Sequence, residues 1–210
     1  TTGMATPATV AAAQPVSSLA GAPAAAFATA PVGRMARHWE LEPDPNHDIL
    51  DFRNHRANYL MATYSHAPNG EPYRPFRTLL NQDLSHAELA FQIGFKMKLL
   101  DDAFRKPLDL WFGYTQNSYW QAANHKASSP FRETNYQPEV MAIAPLPLKR
   151  IGLDAAFVGL GVVHQSNGQA STISRSWNRV YGQLGMERGD FSLVGRVWKR
   201  MSEDLADDNN

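Results

Sequence analysis

Cysteine is absent from all 210 residues, so no disulfide framework, thiolate metal site or cysteine nucleophile can be built. Net charge is absent too. Lys+Arg and Asp+Glu stand at 20 each, without the basic excess that nucleic acid binding asks for, and no nucleic acid partner is expected. No stretch approaches the ~20 consecutive apolar residues of a membrane-spanning helix. His38, His47, His55, His66, His86 and His125 lack metal-ligand spacing with one another and are expected at the surface. Aromatics are well represented, with 5 Trp, 7 Tyr and 10 Phe. A mildly polar, aromatic-rich chain suits a soluble β protein. It equally suits a membrane barrel, whose strands alternate and so average out in hydropathy.

Residues 1–33 are Ala, Thr, Pro and Ser with almost no charge. They lack the basic start of a signal peptide and are broken by Pro7, Pro15, Pro23 and Pro31. The reading is a disordered Ala/Pro-rich leader over residues 1–37, ahead of a single β domain over 38–210. Arg34–Asn54, charged and carrying Pro43 and Pro45, reads as an approach segment.

From residue 57 onward the pattern has period two. In Ala87–Leu99 one face holds Leu89, Phe91, Ile93, Phe95 and Met97, and the other holds Glu88, Gln92, Lys96 and Lys98. Similar segments fall near 58–65, 108–121, 135–145, 151–164, 174–186 and 190–201, giving roughly seven strands and no convincing helix. Several exceed the usual five or six residues and match the ~10 of a tilted bilayer crossing. Lys96 and Lys98, off the apolar face, are expected to line a barrel interior. In Leu108–Gln121, the residues Trp111, Phe112, Tyr114, Tyr119 and Trp120 near the ends suggest an interfacial aromatic girdle. The fold class expected is all-β, an antiparallel transmembrane β-barrel, with a soluble β-sandwich or lipocalin-like barrel as the alternative. Gln116 breaks the apolar face of its strand. Facing lipid, its amide needs a bonding partner, which a second subunit could supply, unless it lies wet among headgroups.

The densest polar cluster is Val163–Arg179, VHQSNGQASTISRSWNR. His164 and Ser166 are two apart and share a strand face; Ser174, Ser176 and Asn178 share another. A hairpin pairing 164 with 178 and 166 with 176 sets a hydroxyl, an imidazole and an amide side by side. Those are the parts of a hydroxyl nucleophile. Serine needs a histidine to take its proton, and the histidine needs a third group to hold its tautomer. An asparagine carbonyl does this without burying a charge at a membrane surface. Gly168 could bring its backbone N–H near a developing oxyanion. A His-x-Ser pair alone is common, and most are merely polar surface.

The chain resembles the outer membrane phospholipase A family. The likeness is carried by HQSNG (His164–Gly168), SRSWNR (Ser174–Arg179), YTQ (Tyr114–Gln116), Ser118, WQ (Trp120–Gln121), SSPFRETNY (Ser128–Tyr136) and HWELE (His38–Glu42), in order, over about residues 38 to 210. That resemblance implies a twelve-stranded outer membrane barrel with its active site on the lipid-facing wall. It implies a calcium-dependent phospholipase A1/A2 hydrolysing acyl esters of glycerophospholipids, with Ser166 as nucleophile, His164 as base and Asn178 as orienter. It implies a Ca2+ ion held by the Ser174 hydroxyl and the carbonyl of Gln169, with the carbonyl of Ser128 of the partner subunit. Gly168 then supplies the oxyanion amide, and Gln116 sits at the interface of an active homodimer.

Two departures stand out. Where the family often has an acidic residue this chain has Ser171, so a monomer calcium site using that carboxylate is not expected. The chain also stops at Asp208, Asn209 and Asn210 after roughly seven strands, and by family comparison roughly five more are absent. The expectation is the N-terminal part of a barrel, unable alone to satisfy its open edge in lipid. A passive, porin-like barrel, an inactive fragment and a soluble lipid-binding barrel are the competing readings.

Overall fold

The computed structural model describes residues 33–42, 48–68, 84–127, 129–169 and 174–202. His47, Ser128 and Ser171, named above, and the leader through residue 32 lie outside the described residues. Within them the chain forms one antiparallel sheet of eight strands. These are β1 (Arg53–Asn54), β2 (Tyr59–Tyr64), β3 (Ala87–Leu100), β4 (Asp109–Trp120), β5 (Phe131–Pro145), β6 (Ala155–Ser166), β7 (Ser176–Arg188) and β8 (Phe191–Arg200). The order is β1-β3-β4-β5-β6-β7-β8, with β2 on the same side of β3 as β1. Every long strand therefore pairs with its neighbour in sequence, the up-and-down arrangement of a meander. Among the described residues β8 pairs with β7 alone.

The period-two pattern assigns the two faces. Outward point Val158, Leu160, Val162, Val180, Leu184, Leu193 and Val197, all exposed. So much contiguous apolar surface marks a face that meets something other than water. Inward point Trp111, Met141, Ile143, Phe157, Val163 and Tyr181, which form the core. Charged groups on this inner face are buried and partnered, as burial of charge demands. Lys98 Nζ lies 2.8 Å from Asp101, 2.8 Å from Asp109 and 3.2 Å from Glu40. Lys96 donates to the carbonyl of His38, with its ammonium 3.7 Å from the Trp39 ring centroid.

Three expectations need correction. The leader ends earlier than residue 37, because Arg34–Trp39 is a helix, α1, and the approach segment is not helix-free. A six-residue helix is too short to persist alone, and no side chain of its own caps it. Its free N–H groups are met from across the fold: Met35 N donates to Glu187 Oε1 at 3.0 Å and Ala36 N to Oε2 at 3.2 Å. Met35, Ala36 and Trp39 are then buried against the inner face, Trp39 meeting Phe157 and Trp111 at 5.2 and 6.2 Å between ring centroids.

Second, His38 is half-buried in α1, and His55 is not a surface residue. His55 is 8% exposed, and its Nε2–H donates to Glu139 at 2.6 Å. Arg56 (3.0 Å) and Tyr181 (2.5 Å) donate to the same carboxylate. Third, the girdle on β4 is split by parity. Phe112, Tyr114 and Trp120 share the outer face with Gln116, whereas Trp111, wholly buried, and Tyr119 alternate with them and turn inward.

Candidate active site

β6 ends at Ser166 and β7 begins at Ser176, so the polar cluster lies where two long strands meet their connecting loop. The register pairs His164 with Asn178 and Ser166 with Ser176. His164 and Ser166 alternate with inward Val163 and Gln165 and so continue the outer row of Val158, Leu160 and Val162. His164 Nδ1 lies 2.9 Å from Asn178 Oδ1. An amide oxygen only accepts, so Nδ1 carries the proton and donates it, leaving the Nε2 lone pair free. Ser166 stands two residues along on the same face, the strand spacing at which neighbours share a side.

The loop is held by a residue that lay inside the HQSNG block without a role. Asn167 is 4% exposed. Its N–H donates to Arg175 O at 3.0 Å, and its Oδ1 accepts from Arg175 N at 2.9 Å and Gln169 N at 3.3 Å. These bonds close the two ends of the loop on each other. Gly168 follows with φ 65°, in the left-handed region that glycine enters at no steric cost. A Cβ there would also fall 2.9 Å from Cε2 of Tyr136, itself the cross-strand partner of Ser166. Nothing in spacing announced Tyr136. It comes from β5 and meets the site only through sheet register.

Behind the site, on the inner face, the Arg179 guanidinium lies 3.8 Å from the Trp177 ring centroid and 4.0 Å from that of Trp198. Gln165 bonds Asn135 at 3.2 Å and also Gln137. Stacking and amide bonds thus brace the backbone that presents His164 and Asn178.

Gln116 lies on the outer face in the same cross-strand row as Ser166, through Tyr136. Its amide finds partners on its own strand: Tyr114 OH donates to Oε1 and Nε2 donates to Ser118 Oγ, each at 3.1 Å. Ser118 in turn meets Thr134 at 3.2 Å. The cost of a polar group on an apolar wall is met locally, without requiring a second subunit.

Of the candidate calcium ligands, Gln169 and Ser174 flank the undescribed residues 170–173. Among the described residues no group of three His, Cys, Asp or Glu could hold a metal. A carbonyl and a hydroxyl are nevertheless the oxygen donors calcium takes. The Asn167–Arg175 bonds draw the two sides of that loop together, so the pair fits as one part of a larger oxygen set.

Comparison with known proteins agrees with this arrangement. Residues 35–210 match the phospholipase A1 family. A Neisseria meningitidis serogroup B protein assigned as a phospholipase A1 is 39% identical over 82% of this chain and 47% of its own length. Phospholipase A1 of Escherichia coli K12 is 33% identical over 68% of this chain and 48% of its own. The chain spans about half the length of the curated relatives it matches.

Among solved structures, the Salmonella typhi outer membrane phospholipase dimer with bound calcium superposes with a TM-score of 0.67 at 31% identity, covering 80% of this chain and 63% of that one. An Escherichia coli outer membrane phospholipase A whose active-site asparagine is replaced by alanine gives 0.67 at 28% identity, over 83% of this chain and 66% of that one. Sequence, strand order and superposition thus agree that this chain belongs to the phospholipase A1 family of outer membrane phospholipase A barrels.

Proposed function

We propose that this chain carries the catalytic wall of a calcium-dependent outer membrane phospholipase that hydrolyses acyl esters of glycerophospholipids. The observation that carries the reading is the 2.9 Å bond from His164 Nδ1–H to Asn178 Oδ1 on an apolar outer face, with Ser166 beside it. Ser166 Oγ attacks the ester carbonyl while His164 Nε2 takes its proton. The same imidazolium then returns that proton to the departing glycerol oxygen, leaving an acyl-Ser166 that water hydrolyses with His164 again as base. Asn178 holds the ring in the required tautomer throughout. The relative with a replaced active-site asparagine supports that role. The Gly168 N–H would donate to the developing oxyanion.

Gln169 and Ser174, with Ser128 of the partner subunit, would hold the calcium ion, in keeping with the calcium-bound dimer of the Salmonella typhi relative. When bound, the ion adds positive charge beside the oxyanion. Gln116, on the same outer face, would lie at the dimer contact. A passive channel is disfavoured by α1, whose Trp39 packs against Trp111 and Phe157 where a lumen would run.

The test is hydrolysis of phosphatidylethanolamine in detergent with calcium by a complete barrel that carries this chain. The protein should turn over, and Ser166→Ala should lose turnover while keeping calcium binding and dimerisation. Full activity in Ser166→Ala would mean that the nucleophile lies elsewhere.

A further inference from the structure

The strand pair that carries the site stops just after Ser166, and a side chain stops it. β6 and β7 run in register from Ala155 opposite Glu187 to Ser166 opposite Ser176. The next rung would set Asn167 opposite Arg175, each main chain giving its N–H to the other's oxygen. Only half of that rung is backbone. Asn167 N–H donates to Arg175 O at 3.0 Å. Arg175 N–H donates at 2.9 Å to the side-chain Oδ1 of Asn167, which stands in for the main-chain oxygen.

The exchange matters because of the donor that follows. The carbonyl of Asn167 and the N–H of Gly168 belong to one planar peptide and point in opposite directions. A full rung would aim that carbonyl at β7 and hold the Gly168 N–H in the plane of the sheet, towards β5. With Oδ1 serving Arg175, the ladder no longer fixes this peptide, and the chain turns at Gly168 with φ 65°. The same Oδ1 accepts from Gln169 N at 3.3 Å, which ties down the peptide leading into Gln169. Asn167 is 4% exposed, and a buried hydrogen bond is stronger than one in water. The Tyr136 ring bounds the turn on the β5 side, where a Cβ on Gly168 would fall 2.9 Å from Cε2.

We infer that Asn167 is the positioning residue of this loop. One buried oxygen, shared between Arg175 N–H and Gln169 N–H, sets the Gly168 N–H for the oxyanion and the Gln169 carbonyl for calcium. This rests on the phospholipase reading above. Asn167 touches neither the lipid nor the ion, and acts through the two residues that follow it.

The experiment uses a complete barrel that carries this chain, in neutral detergent micelles, with every value taken per folded molecule. Calcium binding is titrated by calorimetry on a Ser166→Ala background, where no turnover interferes, and phosphatidylethanolamine hydrolysis is followed at saturating calcium without that change. Asn167→Ala should weaken calcium binding about tenfold, the lower end of what a residue behind a metal ligand contributes. It should lower kcat about thirtyfold, short of the ~100-fold or more lost with an oxyanion donor itself, and leave KM within twofold. Asn167→Asp keeps the oxygen and should bind calcium at least as tightly as the parent. Should Asn167→Ala not fold, Asn167→Ser carries the same expectation, because its hydroxyl can close the local turn but is one bond short of Arg175.

Unchanged calcium binding or unchanged kcat in the folded variant would overturn the proposal. So would calcium binding in Asn167→Asp as weak as in Asn167→Ala. Ser166→Ala separates the two claims. If it still hydrolyses the lipid, the phospholipase reading itself has failed; if it is inactive while Asn167→Ala is unimpaired, only the role of Asn167 has.

Discussion

One amide oxygen, Oδ1 of Asn178, decides which nitrogen of His164 is free to accept a proton. At 2.9 Å it takes the Nδ1 hydrogen, and only that tautomer presents a lone pair at Nε2. Asn178→Ala removes the acceptor while leaving the strand pairing, which is backbone, in place. We expect kcat to fall about a hundredfold, at the lower end of what a positioned base contributes, with little change in KM; steady-state kinetics checks this. This part of the site was legible in spacing, because strand parity makes His164 and Ser166 neighbours, and a short loop makes Asn178 the cross-strand partner. Tyr136 was not. Its contact with Gly168 depends on how β5 registers against β6, and register is written across strands rather than along them. The burial of His55 is equally non-local: a lone histidine in a polar segment reads as exposed until Glu139, 84 residues later, claims it.

At the scale of elements, α1 is the clearest case of a structure made by distant chemistry. It has no capping side chain of its own, and its first N–H groups are bonded by Glu187 from 152 and 151 residues away. Local pattern could not predict it, because the anion that completes its N-terminus belongs to β7. Glu187→Gln should weaken this cap and cost about 1 kcal/mol, the usual value of a helix cap, read as a lower urea midpoint followed by Trp39 fluorescence. An unchanged midpoint would mean that α1 is held by packing alone.

The same helix carries a pH dependence. Burial first, then the nearby charges of Lys96 and His55, lower the His38 pKa from 6.5 to about 4. The unfolded chain therefore binds a proton that the folded chain refuses between those values. Stability should be complete above pH 6.5 and decline as pH falls towards about 4, and His38→Gln should flatten that decline in urea titrations.

On the molecular scale the sheet separates two tasks. Its inner face is filled by α1, aromatic rings and paired charges, and its outer face is mostly apolar, with polar groups at Gln116, the His164–Ser166 cluster and Lys199. The long alternating strands made the sheet and its faces legible. The inward turn of Trp111 and Tyr119 follows from strand parity, which aromatic content alone does not carry. A filled interior and a reactive exterior predict opposite responses from those of a channel. EDTA should abolish ester hydrolysis, and added calcium should restore it. In a planar bilayer the protein should give no ohmic pore current. A conducting pore indifferent to EDTA would reverse the account of both faces.

The central claim is that Ser166 is the nucleophile of this wall. Its most direct test is labelling with a long-chain fluorophosphonate in calcium-containing micelles, followed by peptide mass spectrometry. The account predicts a single adduct on Ser166, lost in Ser166→Ala and slowed in Asn178→Ala. An adduct on Ser174, Ser176 or any other serine, with Ser166 unmodified, would contradict it.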